Sequence, residues 1–194
     1  MDENGNGTRR EDPALVARIA AGDREALRRV YEDHAERLLN LARRVLLDDD
    51  DARDLVQELF VSLPGRIAGF RGEAGLSTWL HRVATNDALM LLRSRRRRGE
   101  LLKRFLFPFA EPAEEDDPTR ERTLGELSDA VLGRFDPATR AMLWMADAEG
   151  IDLRTIALSL GVPEGTVKSR LSRAREKARR WLQEAGHGRL EELV

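Results

Sequence analysis

Asp152-Leu-Arg-Thr-Ile-Ala-Leu-Ser-Leu-Gly-Val-Pro-Glu-Gly-Thr-Val-Lys-Ser-Arg-Leu-Ser-Arg-Ala-Arg175 is the stretch that decides the fold. Asp152 is suited to cap a short helix running to Leu160, and Gly161-Val162 turns the chain. Pro163 then opens a second helix that continues to about Gln183. This is the spacing of a helix-turn-helix. Ile156, Ala157, Leu160, Val162, Val167 and Leu171 would pack the two helices together, leaving Lys168, Ser169, Ser172, Arg173 and Arg175 facing outward. Those side chains reach phosphates and base edges in a major groove. The Thr166 hydroxyl and the amides of the first turn suit a phosphate. An ordinary basic surface helix is the plainer alternative. Seven bases against Glu164 and Glu176 between Pro163 and Leu182, with that turn chemistry, favour DNA.

Working outward, every other periodic stretch also reads as helix, and no alternating strand pattern occurs. Pro13 to Ala21 is a short helix. Asp23 caps an amphipathic helix to about Leu47, and a third runs from Asp51 to Leu63, ended by Pro64-Gly65. After a glycine-rich loop, Phe70 to Gly75, Ser77 or Thr78 caps a long helix reaching the run Arg95 to Arg98. Proline and acid then replace periodicity, although Phe105-Leu106-Phe107 is apolar enough to dock on something. Asp136-Pro137 opens another helix, to about Asp147. The expected organisation is all-α: a disordered N-terminus over 1–12, a helical domain over 13–98, a flexible acidic linker over 99–118, a helix-turn-helix domain over 119–183 and a tail over 184–194.

Composition removes several function classes. The chain has 194 residues, 35% of them charged, with no cysteine and three scattered histidines. A disulfide framework, a thiolate metal site and a cysteine nucleophile are excluded, and a reducing cytoplasm is expected. No apolar run approaches the roughly 18 residues of a membrane span, and the polar N-terminus is unlike a signal peptide. No cofactor or metal is expected. The net charge of −2 hides blocks of alternating sign. Asp48 to Glu58 carries six acids against Arg53, Arg93 to Arg104 seven bases against Glu100, and Glu111 to Pro118 five acids with no base. Two basic blocks imply two separate polyanion contacts.

Trp79, Arg82, Asn86, Arg93 and Arg97 recur at three-, four- and seven-residue steps on the long helix, away from its apolar stripe of Leu76, Leu80, Val83, Ala84 and Leu91. An aromatic, an amide and arginines in one strip suit unpaired bases and a single-strand backbone. For Trp79 alone, core packing is the competing reading. Asp51, Asp54, Gln57 and Glu58 line one side of the third helix. Without a lysine or serine–histidine partner they suit docking on a basic partner rather than catalysis, so no enzymatic activity is expected.

Three stretches together carry a resemblance: Asp51-Ala-Arg-Asp-Leu-Val-Gln-Glu-Leu-Phe60; Phe70-Arg-Gly-Glu-Ala74 with Ser77-Thr-Trp-Leu-His-Arg-Val-Ala-Thr-Asn86; and Gly165-Thr-Val-Lys-Ser-Arg-Leu-Ser-Arg-Ala-Arg175. In this order, over about Pro13 to Leu182, the chain resembles the extracytoplasmic-function class of bacterial sigma factors. The resemblance implies a region 2 domain that melts and holds the −10 promoter element and a region 4 domain that reads the −35 element. It implies core RNA polymerase (β′ clamp helices and β flap) and promoter DNA as partners, with an anti-sigma factor as a further candidate. Asp54, Gln57 and Glu58 fall where the family docks on the clamp helices, and Asn86 where it reads the −10 strand. Residues 70–78 fall where the family receives a flipped base, and Lys168, Ser169, Ser172 and Arg173 where it meets −35 bases. The acidic linker would pass through the polymerase channel. His81 stands where the family often has tyrosine, and Ser172 where a bulky residue can occur, so no promoter sequence is carried over. A stand-alone helix-turn-helix regulator would explain Asp152 to Leu182 but leave the Trp79 strip and the acidic helix idle. A helical adaptor would make both basic helices incidental.

Overall fold

The computed structural model describes residues 13–72, 75–106 and 130–184. The expected N-terminal segment, most of the expected linker, the start of the second unit and the tail lie outside the described residues. A first unit contains α1 (Pro13–Ala20), α2 (Arg24–Leu46), α3 (Asp49–Arg66), a 3-10 turn (Ile67–Gly69) and α4 (Leu76–Leu106). A second begins with a helical end at residues 130–133. It continues through α5 (Pro137–Leu143), a π-helical turn (Trp144–Ala148), α6 (Leu153–Leu160) and α7 (Glu164–Glu184). Among the described residues there is no strand, and the fold is all-α.

Local chemistry sets the helix starts. Asp23 accepts from the amides of Glu25 (2.9 Å) and Ala26 (3.2 Å), Asp48 from Asp51 (2.9 Å), Asp136 from Thr139 (3.1 Å) and Asp152 from Thr155 (3.0 Å). Each satisfies a donor that the first helical turn leaves open. Between α6 and α7, Gly161 takes φ +65°, a left-handed cap that closes α6 and releases the chain into the next helix.

Several expected boundaries move. The third helix does not stop at Pro64 but runs to Arg66, because a proline this near the end removes only one intrahelical bond. The fourth begins at Leu76, so Ser77 and Thr78 lie within its first turn instead of capping it; the Trp79 amide donates to the Gly75 carbonyl at 3.1 Å. It also continues through Gly99 to Leu106, eight residues into the expected linker. One interior glycine costs about 1 kcal/mol, and good helix formers follow it.

Leu38, Leu41 and Val45 of α2 pack with Leu59 and Leu63 of α3 and Leu80 of α4, all almost wholly buried. Full burial of each such side chain contributes about 1.5–3 kcal/mol. Arg66 donates to both oxygens of Asp87 (2.6 and 3.0 Å), tying the end of α3 to α4. The buried apolar cluster extends from the first unit through Met142, Met145 and Ile156 to Leu171 of the second. The units are therefore packed on one another, α5 against α2 and α6 against α4.

Polar contacts fix that packing. The buried Arg140 Nη2 donates to the Val45 carbonyl at 2.5 Å, where the last turn of α2 leaves carbonyls without intrahelical partners. His81 Nε2 lies 2.7 Å from Glu149 Oε2, while Trp144 Nε1 donates to Glu149 Oε1 at 2.8 Å. The Arg44 guanidinium stands 5.1 Å over the Trp144 ring.

Candidate nucleic-acid interface and acidic docking face

On α7 the side chains expected to face outward do so. Lys168, Ser169, Ser172 and Arg173 are exposed, while Val167 and Leu171 are buried against α6. Arg173 Nε donates to the Ser169 carbonyl at 3.1 Å, which folds its guanidinium back along the same helical row. Two parts of the expectation change. Arg175 is turned inward to pair with Asp147 of the π turn, Nε to Oδ2 at 3.3 Å, so it is not a free cation beside Arg173. Pro163 lies just before the helix, and its carbonyl accepts from the amides of Thr166 (2.9 Å) and Val167 (3.3 Å), which are thus not open to a phosphate. The Thr166 side chain is half-buried at that first turn.

On α4, Arg82, Asn86, Arg93 and Arg97 are exposed in one strip with Met90 among them, and Arg93 Nε caps the Leu89 carbonyl at 3.1 Å. Trp79 departs from the expectation. It is 7% exposed, within the apolar core, and meets Phe70 edge-to-face with ring centroids 6.0 Å apart. The indole lies one turn before Arg82 and rotates inward, because Leu76 and Leu80 on either side draw that face into the core. What it offers is the wall of a cavity of about 530 Å³, lined also by Phe70, Arg71, Thr78, Arg82 and, from α6, Arg154 and Leu158. Phe70, Arg71 and Thr78 belong to the loop expected over residues 70–78, whereas Arg154 and Leu158 were not singled out in the sequence. No periodicity connects Arg154 to Trp79, since tertiary packing alone brings them together.

The acidic helix divides into two. Asp54, Gln57 and Glu58 are exposed, and none of their side chains forms an ion pair among the described residues. Asp51 differs: it is paired with Arg95 of α4, so it joins the acidic helix to the arginine run. Asp49 and Asp50 are likewise paired, with Arg43 and Arg53. Beside the free acids, α2 and α3 form a groove of about 950 Å³ with Tyr31, Phe60 and Val61 along it, Tyr31 and Phe60 in edge contact at 4.9 Å. Among the described residues no cluster of histidine and carboxylate suits a metal ion, and no helix is long and apolar enough to cross a membrane.

Comparison with known proteins identifies the family. The family model for sigma-70 region 2 matches residues 30–98, and that for sigma-70 region 4 matches residues 129–177. The chain is 36% identical over 177 residues to the ECF RNA polymerase sigma factor SigM of Mycobacterium tuberculosis, covering 89% of this chain and 85% of that one. It is 30% identical to the RNA polymerase sigma-H factor of Pseudomonas aeruginosa, covering 91% and 96%. Among solved structures, CnrH in complex with the cytosolic domain of CnrY superposes with a TM-score of 0.62 at 23% identity, covering 88% of this chain and 96% of that one. With both region models in register on the two helical units, the chain belongs to the extracytoplasmic-function sigma factors of the sigma-70 family.

Proposed function

We propose that this sigma factor, which directs promoter-specific transcription with core RNA polymerase and promoter DNA as its partners, divides its contacts among three surfaces. Asp54, Gln57 and Glu58 of α3 dock on the polymerase clamp. The strip Arg82, Asn86, Arg93 and Arg97 holds the opened −10 strand, with an unpaired base entering the cavity walled by Phe70 and Trp79. Lys168, Ser169, Ser172 and Arg173 read −35 base edges, and Thr166 supports the adjoining backbone. Asp51 acts through Arg95 to orient the arginine run, and Arg175 swings from Asp147 to a phosphate when DNA is present. The chain supplies no catalytic group, and its site of action is the cytoplasm. CnrH is seen with CnrY, and another structural neighbour is the sigma factor RpoE with the anti-sigma factor NepR from Bartonella quintana. An anti-sigma protein is accordingly a candidate partner here.

The observation carrying the docking assignment is that, among the described residues, the exposed carboxylates of Asp54 and Glu58, with the exposed Gln57 amide between them, form no ion pair, while Asp49, Asp50 and Asp51 are paired. The test adds the chain to core polymerase on a promoter library and sequences the transcripts. Wild type should select one promoter class. Reversal of charge at Asp54 and Glu58 should weaken core binding at least about tenfold and make association less salt-sensitive, with helicity intact. Unchanged core affinity would refute the docking face.

A further inference from the structure

We propose that the Arg66–Asp87 ion pair is a positioning device for strand capture: it fixes the loop that carries Phe70 against the helix that carries Asn86, and so sets which unpaired base the Trp79 cavity accepts. The inference rests on the promoter assignment above and deepens it. The cavity wall comes from two elements. Phe70, Arg71 and Gly72 follow the end of α3, whereas Thr78, Trp79 and Arg82 belong to α4. Arg66 stands just before the 3-10 turn that leads to Phe70, and Asp87 is next to Asn86. Between them runs a two-pronged bond, Nη1 to Oδ2 at 2.6 Å and Nη2 to Oδ1 at 3.0 Å.

The fold has little need of this pair. Leu59 and Leu63 are already buried with Leu80 in one apolar cluster, and Asp51 pairs with Arg95 toward the other end of α3. The Arg66 and Asp87 side chains are 36% and 23% exposed, a setting in which an ion pair adds little stability. What it adds is direction. Apolar contact is non-directional, whereas a planar guanidinium on two carboxylate oxygens fixes both distance and bearing. The Arg66 guanidinium is held above the ordinary arginine range, first by the hydrogen bond to Asp87, with burial opposing. Onward from Arg66 the linkage is stiff. Ile67 is buried, its carbonyl accepts from the Phe70 amide at 2.9 Å, and Phe70 meets Trp79 edge-to-face. A displacement at Arg66 is therefore delivered to the cavity wall, where a recognition site tolerates only about 0.5 Å of error.

The test uses holoenzyme assembled from core polymerase and the chain, on a single-stranded −10 oligonucleotide from a selected promoter, with an abasic site placed at each position in turn. In wild type one position should lose at least about fivefold in affinity when its base is absent, the worth of one stacked base. Asp87→Ala and Arg66→Ala should both reduce that penalty to about twofold or less. Their overall affinities should move in opposite directions, because the first leaves a free cation beside the strand and the second a free anion. The reversed pair, Arg66→Asp with Asp87→Arg, should recover the penalty. Asp49→Ala, which breaks the pair with Arg43 near the opposite end of α3, should leave it unchanged. A full penalty retained in both single variants overturns the proposal, as does a reversed pair that binds the strand without discriminating. Lower affinity in both single variants would mark a merely structural role and overturns it as well. A wild type indifferent to the missing base at every position is a different failure: it overturns base capture itself, and the role of the pair with it.

Discussion

Arg173 and Arg175 stand two positions apart on one helix and differ in what holds them. Among the described residues Arg173 is bonded only to its own row, through the Ser169 carbonyl and hydroxyl, and can turn to a base without breaking an ion pair there. Arg175 must first leave Asp147, beside which its guanidinium is held above the ordinary arginine range, chiefly by that hydrogen bond. Arg173→Ala should cost about 1–3 kcal/mol and relax preference at one or two −35 positions, whereas Arg175→Ala should weaken all promoters alike and lower the salt slope by about one. Binding to a −35 substitution series at several salt concentrations checks both. Trp79 and Asn86 separate in the same manner. Trp79→Ala should cost about 3–5 kcal/mol of stability because it empties core volume. Asn86→Ala, exposed, should leave the melting temperature nearly unchanged while slowing open-complex formation on duplex promoters. Thermal melts run beside promoter-opening kinetics decide it. Residue identity was legible in the sequence here. Orientation was not, because the heptad-like spacing of Trp79 and Asn86 is compatible with either side of a boundary set by Leu76 and Leu80.

Elements read best where their signals are local. Asp23, Asp136 and Asp152 cap as their sequence context implies, since the bonded amide lies only two or three residues on. Ends governed by distant packing read worse: α4 continues past Gly99, and the helix begun at Pro137 changes after Leu143 to a π turn that no composition marks. The caps have a consequence in acid. Burial pushes the Asp136 carboxyl up, but bonds from the Thr139 hydroxyl and amide outweigh it and leave it below the ordinary range. Asp152 is lowered by the amide and then the hydroxyl of Thr155. A carboxyl lowered in the folded state contributes stability that is present above its unfolded value and lost as pH falls through its folded value. Helicity of the second unit should therefore decline in acid below about pH 4, and Asp152→Asn, which still caps, should flatten that decline. Circular dichroism across an acid titration of both proteins is the measurement.

For the whole molecule, the sequence supports two helical units with opposite charge blocks and leaves their mutual contact unreadable. Val45 and Arg140 are separated by 95 residues, and His81 and Glu149 by 68, distances over which no periodicity operates. Burial holds the Arg140 guanidinium below the ordinary arginine range, with the Asp136 carboxylate opposing that shift. Arg140→Met should keep the apolar stem and lose the bond to α2. The Val45 carbonyl is then left unpaired at a cost of about 1–3 kcal/mol while the units stay closed. Calorimetry should show a single transition, as in wild type, moved to lower temperature. The π turn controls the same mating. Glu149 donates its amide to the Trp144 carbonyl at 3.2 Å, five residues back, so this turn holds one residue more than an α-turn would. That residue works as a tooth in a gear. Deleting Ala146 would let α5 run on as a regular helix and swing everything beyond it by about 100°, carrying the carboxylate of Glu149 off the bearing of His81. Segment length at that one turn, independent of which side chains follow it, thus sets the bearing at which the second unit meets the first.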